Sequence, residues 1–158
     1  MLKRSFLLAA TTLALIGCAS TSAPTTITDT VARNPQLSTL NKLLADAGLA
    51  DMLRGAGPYT VFAPTDDAFK AVPAKTLADL AANKELLRSV LSYHVLPGNV
   101  RSTEVKVGSM KSVQGANLAL ASAGSMLTVE DAVVTQADVT ATNGLIQVID
   151  RVLMPPKK

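Results

Sequence analysis

Few residues of this 158-residue chain have side chains that could do chemistry beyond building a fold: one histidine, two acidic pairs and one cysteine. His94 could serve as a metal ligand or a general base. A metal centre needs several converging ligands, and the chain has no second histidine to join it. A hydrolytic triad needs an activated nucleophile, and no Gly-x-Ser-x-Gly elbow occurs. His94 therefore reads as a hydrogen-bonded structural residue where a helix gives way to a strand. Asp66 and Asp67 have the composition of a carboxylate pair for glycoside hydrolysis. They follow Thr65, however, and read as first-turn residues of a helix, where the positive end of the macrodipole favours them. Sugar stacking is also poorly provided for, because the chain has no Trp. Glu130-Asp131 reads as a turn at a strand end, and no glycine-rich phosphate loop follows a strand. The expectation is a non-enzyme without cofactor or metal site.

Cys18 calls for different chemistry. Met1 to Gly17 reads as a secretory signal, with Lys3 and Arg4 at its positive start and an apolar run from Phe6 to Ile16. That run is shorter than the ~20 apolar residues a spanning helix needs. Leu15-Ile16-Gly17-Cys18 resembles the bacterial lipobox, whose cysteine receives a diacylglycerol and becomes the first residue of the mature chain. An exported protein with a single thiol has no internal disulfide to form, which fits lipidation of Cys18. By resemblance to Gram-negative lipoproteins, Ala19 after that cysteine favours the outer membrane. Loss of the signal removes Lys3 and Arg4, so the formal charge falls from +3 to +1, thirteen basic residues against twelve acidic. The basic character belongs mostly to targeting, and with no basic patch or aromatic interleaving, nucleic-acid binding is excluded.

The organisation expected is a signal over 1–17, a lipidated cysteine and spacer over 18–27, and one domain over 28–156. The spacer is inferred from a Ser/Thr/Ala tract with nothing to bury. The first half of the domain has helical periodicity. Leu37, Leu40, Leu43, Leu44 and Ala47 form one stripe, with Gly48 placed to end it. A short apolar turn spans Leu49 to Leu53, and Tyr59 to Ala63 is an extended run closed by Pro64. Thr65, Thr76 and Asn83 are the candidate N-caps of three further helices. The second half has short runs of Val, Leu, Thr and Met divided by turn signals at Pro97-Gly98, Gly108, Gly115-Ala116-Asn117, Gly124 and Asn143-Gly144. Leu145 to Leu153 is nearly all apolar and predicts a strand deep in a sheet. Helices followed by strands predict an α+β domain, helices packed on a mostly antiparallel sheet. The four aromatics after the signal, Tyr59, Phe62, Phe69 and Tyr93, are expected to staple helices to that sheet.

Three blocks carry a resemblance. Gly57 to Phe69 (Gly-Pro-Tyr-Thr-Val-Phe-Ala-Pro-Thr-Asp-Asp-Ala-Phe), Leu91 to Val95 (Leu-Ser-Tyr-His-Val) and Asn143 to Pro155 (Asn-Gly-Leu-Ile-Gln-Val-Ile-Asp-Arg-Val-Leu-Met-Pro) resemble, in order and spacing, the conserved blocks of the fasciclin domain family. The resemblance covers about Thr28 to Pro156 and implies a single fasciclin-like fold. Tyr59 stands where the family usually has Phe. Gln147 stands where the closing block usually has His; if that His bonds across the sheet, Gln147 can donate and accept similarly but cannot titrate.

The same resemblance supplies the candidate interaction residues. The Tyr-His segment, here Tyr93-His94, is implicated in cell binding by animal relatives. Adhesion in animal matrix relatives maps to a short Asp-Ile segment before the closing block. Here that region is Gln136 to Thr140, and only Asp138 and the similar Val139 survive. The function implied is a membrane-tethered adhesion or interaction module of the cell envelope, binding a protein, matrix or cell-surface partner. A periplasmic carrier for a small apolar ligand, or an accessory to another envelope protein, is the alternative, with a pocket where helices meet the sheet.

Overall fold

The computed structural model describes residues 25–105 and 107–156. Helices occupy the first half: α1 (Ile27–Arg33), a 3-10 turn at Pro35–Leu37, α2 (Ser38–Asp46), α3 (Ala50–Arg54), α4 (Asp66–Lys70), α5 (Ala74–Ala82) and α6 (Lys84–Tyr93). Strand β1 (Tyr59–Pro64) is set among them, and β2 (Val95–Pro97), β3 (Gly108–Lys111), β4 (Asn117–Ala123), β5 (Met126–Val129), β6 (Ala132–Ala141) and β7 (Gly144–Ile149) follow. The seven strands form one sheet in the order β2-β1-β7-β6-β5-β4-β3. Only β1–β7 is parallel, running from Tyr59↔Gly144 to Pro64↔Ile149; the other neighbours are antiparallel. The α+β architecture read from the sequence is the architecture observed.

Local chemistry sets most boundaries. Thr65 Oγ1 accepts from Ala68 N–H and caps α4, and Asn83 Oδ1 accepts from Glu85 and Leu86 N–H and caps α6. Gly48, at φ +68°, turns the chain after α2. Thr76 is not a cap: α5 begins at Ala74, behind Pro73, whose fixed φ presets the first turn three residues earlier. The last strand stops at Ile149, short of Leu153. Asp150 turns away there, and its Oδ1 accepts Val133 N–H at 2.8 Å.

Strand alternation divides the interior into two cores. Val61, Ala63, Ile146 and Val148 face the helices and pack with Ile27, Val31, Leu40, Leu53 and Phe69. Phe62 and Ile149 face the other way and pack with Tyr93, Leu118, Leu120, Leu127 and Val129. β1 and β7 are thus buried on both faces, as central strands are, and their polar members Thr60 and Gln147 are buried with them. The aromatics are split accordingly. Phe69 and Tyr59 pack on the helix side, but Phe62 and Tyr93 lie between the two limbs of the sheet. The expectation that all four staple helices to sheet is corrected, because Phe62 lies between Val61 and Ala63 in a strand whose side chains alternate.

The fold also begins earlier than residue 28. Thr26 caps α1, and Ile27 is fully buried, with its N–H donated to Asn143 Oδ1 at 3.0 Å. Thr25 carbonyl accepts Thr142 N–H at 2.9 Å. Residues 25–27 therefore belong to the domain and not to the spacer.

Candidate functional site

His94 ends α6 and is fully buried. Its Nε2 lies 3.0 Å from Leu153 N–H, which can only donate, so Nε2 is the acceptor. Nδ1, 2.8 Å from the Val90 carbonyl, must then carry the proton. Burial pushes the imidazole down to about 4, and the bond to Val90 offsets only part of that, so the ring is neutral at pH 7. His94 carbonyl accepts Phe62 N–H at 2.8 Å. One residue thus ties α6, β1 and the closing segment together, with neither ring nitrogen free for a ligand.

Tyr93 points into the second core. Its hydroxyl faces two acceptors, Asn117 carbonyl at 3.1 Å and Glu130 Oε1 at 3.3 Å. Burial raises the phenol above its ordinary value, and the neighbouring Glu130 charge raises it further. Glu130, at φ +52° in the β5–β6 turn, also accepts Ala119 N–H at 2.8 Å. The turn reading of Glu130-Asp131 fits, and the Glu130 carboxylate has a bracing role besides.

Asp138 sits in an irregular stretch of β6, where the register against β7 shifts between Gln136 and Val139. Its φ of +55° is a left-handed conformation that Asp tolerates better than most residues. The carboxylate collects donors: Ser102 N–H at 2.9 Å, the Ser102 hydroxyl, and the Gln147 amide at 2.8 Å. Partial desolvation pushes this carboxyl up, but the Ser102 and Gln147 bonds, with help from Arg101, outweigh it and hold it below the usual range. Gln147 is fully buried and also bonds Val100 carbonyl at 3.2 Å. Thr60 completes the anchorage, donating to Gly98 carbonyl at 2.7 Å and accepting Val100 N–H at 2.8 Å. The loop after β2 is thereby fastened to β1, β6 and β7. Val139 packs against the helix-side core.

Among the described residues, no hydrogen bond joins the Tyr93-His94 pair to the Asp138-Val139 pair. Tyr93, His94 and Asp138 each serve a separate brace, and Val139 contributes packing. Cys18 lies outside the described residues. Ser102, Thr60 and Arg101 were not singled out from sequence: their role depends on a loop whose path local patterns do not reveal.

The acidic pair also separates. Asp67 pairs with Lys70 at 2.7 Å on the surface. Asp66 reaches across to α2, accepting Ser38 Oγ at 2.6 Å and Thr39 N–H at 2.8 Å, and so caps a helix that has no side-chain cap of its own. Slight desolvation pushes its carboxyl up, but those bonds prevail and lower it. Among the described residues, no three His, Cys, Asp or Glu side chains gather as metal ligands would, and no helix is long and apolar enough to cross a membrane.

A family model for the fasciclin domain matches residues 35–155. Protein sll1483 of Synechocystis sp. is 41% identical over 145 residues, 90% of this chain and 81% of that one. Immunogenic protein MPB70 of Mycobacterium bovis is 41% identical over 128 residues, covering 78% of this chain and 65% of that protein. Cell surface glycolipoprotein MPB83 of the same species matches at 41% over 128 residues and over 57% of its own length. The chain thus spans less than two thirds of these mycobacterial relatives. Among solved structures, a FAS1 domain pair from the insect cell adhesion molecule fasciclin I superposes with a TM-score of 0.65 at 19% identity, over 83% of this chain and 51% of that one. That likeness is one of fold, and it covers about half of the pair. The family model over residues 35–155, the 41% identical relatives and the shared architecture agree, and the chain belongs to the fasciclin domain family.

Proposed function

We propose that the protein is a lipid-tethered, non-enzymatic module of the cell envelope that acts by binding a protein or surface partner. The observation that carries this reading is the 41% identity, over 128 residues, to a protein named as a cell surface glycolipoprotein. The lipobox-like sequence ending in Cys18 supports the tether, and the outer membrane is its proposed location. The side chains best suited to catalysis have structural employment. Both nitrogens of His94 are bonded to backbone, and the Asp66 and Asp138 carboxylates are each held by a neighbouring segment. The carrier reading gains no comparable support: the groove between Pro58, Arg101 and Asn143 is open to solvent, and the buried aliphatic residues form two packed clusters.

Fractionation of Cys18→Ser cells tests the tether. The variant is expected to leave the membrane fraction, and its retention there would refute the anchor. Protease treatment of intact and lysed cells then tests the surface role. Digestion on intact cells supports adhesion, whereas protection until lysis replaces it with binding to an envelope partner.

A further inference from the structure

The point at which the chain joins the fold is fixed at one pole of the sheet. Thr25 carbonyl accepts Thr142 N–H, Thr26 caps α1, and Ile27 is buried under Asn143. Asn143 Nδ2 in turn donates to Leu53 and Gly55 carbonyls, so this corner of the domain is a rigid clamp at the β6–β7 turn. The β1–β7 register places Tyr59 and Gly144 at this pole and Pro64 and Ile149 at the other. The Glu130-Asp131 turn and Asp150 lie at that other pole, where Asp150 bonds Val133.

Seven residue steps separate Cys18 from Thr25. However the residues between are arranged, their reach is at most about 25 Å, from ~3.6 Å per residue. A domain of this size is roughly 35 Å across. An inverted stance, with the Glu130-Asp131 pole on the bilayer, would lift Thr25 beyond that reach. The geometry points to a domain that stands with its Thr25–Thr142–Asn143 pole on the bilayer, with Arg101 toward lipid phosphate, and presents the Glu130-Asp131 pole outward. This inference rests on the proposed lipid at Cys18.

The chemistry of the inner pole suits a lipid surface. A groove of about 520 Å³ opens there between Pro58, Asn99, Arg101, Thr142 and Asn143; among the described residues, exposed Arg101 is the one charged side chain lining it and no carboxylate does. The outer pole differs in charge: exposed Asp131 and Asp150 stand there beside exposed Arg151, and Met154 is an exposed apolar side chain close by. That outer surface is the one a partner can reach.

The full lipidated chain in phosphatidylglycerol vesicles carrying a headgroup acceptor dye provides the test. With Cys18 acylated, a donor dye attaches only to an introduced thiol, Thr142→Cys or Asp131→Cys, both at exposed positions. Energy transfer is expected to be severalfold stronger from Thr142→Cys. Equal or reversed transfer from vesicle-bound protein overturns the stance while leaving the tether intact. Protein that fails to sediment with vesicles overturns the tether and the stance with it. Arg101→Glu is expected to weaken transfer from Thr142→Cys on these vesicles, and an unchanged value there refutes the Arg101–phosphate contact.

Discussion

Gln147 and Asp138 hold each other twice: the Gln147 amide nitrogen donates to Asp138 Oδ1 at 2.8 Å, and its oxygen accepts Asp138 N–H at 3.0 Å. A neutral amide can do both at once, which a single imidazole nitrogen cannot. The arrangement keeps the left-handed Asp138 in place and turns its carboxylate toward Ser102. The residue that resemblance offered as an adhesion contact is thus occupied in closing the fold.

A double-mutant cycle measures this grip. Asp138→Ala and Gln147→Ala should each lower stability, with a coupling of about 1–2 kcal/mol between them, as expected of residues sharing one buried network. Urea melts of the four proteins give the value. Strict additivity would mean that the two side chains act separately.

Acid should weaken the fold in a window assigned to His94. Its folded value of about 4 lies below the ordinary 6.5, so the unfolded chain binds the proton more readily. Stability is therefore full above pH 6.5 and falls as pH drops toward 4, by about 3 kcal/mol at 1.36 kcal/mol per unit of difference. Asp66 and Asp138, whose values are lowered from 3.8, lose their contribution only at still lower pH. Urea midpoints at pH 7 and 4.5 check this, and His94→Gln should flatten the difference. A slope that survives in that variant would assign the acid sensitivity to other groups.

Phe62 is fully buried between the limbs of the sheet. Phe62→Ala should cost ~3–5 kcal/mol, the range for emptying an aromatic site in a packed core. A denaturant melt showing a loss below ~1 kcal/mol would mean that this core collapses around the gap.

Two glycines separate crowding from conformational strain. A Cβ at Gly144 would overlap the Tyr59 carbonyl, the backbone it pairs with across the parallel ladder, and there is no room to relax without parting β1 from β7. At Gly98 the space is open, and only the φ of +100° opposes a side chain. Gly98→Ala should therefore cost about 1–2 kcal/mol, and Gly144→Ala several-fold more, enough to prevent recovery of folded protein. Similar melting temperatures for the two variants would contradict the crowding argument.

What the sequence determined by itself is short-range. Thr65 and Asn83 cap the helices they precede, Gly48 ends α2, and Asn143-Gly144 turns β6 into β7, because each signal acts within a few residues of itself. The three blocks made the family and its α+β architecture legible for a related reason: they are contiguous stretches whose spacing survives in the linear chain. The tertiary structure decided what depends on distant segments. Strand alternation could be read, but which face of β1 meets helices was settled only when β7 came to lie beside it, and that sent Phe62 to the second core. Asp66 looked like a first-turn acid of its own helix and proved to cap α2, 27 residues away in sequence from the Thr39 N–H it accepts. Thr25 to Ile27 looked like spacer, since nothing nearby shows that Asn143 will receive them. The same holds for Asp138, whose partners Ser102 and Gln147 lie 36 and 9 residues away, on a loop and a strand that only the folded sheet brings together. Caps and turns are written in neighbouring residues, whereas braces between remote segments exist only once chain entropy has been overcome and the sheet is closed.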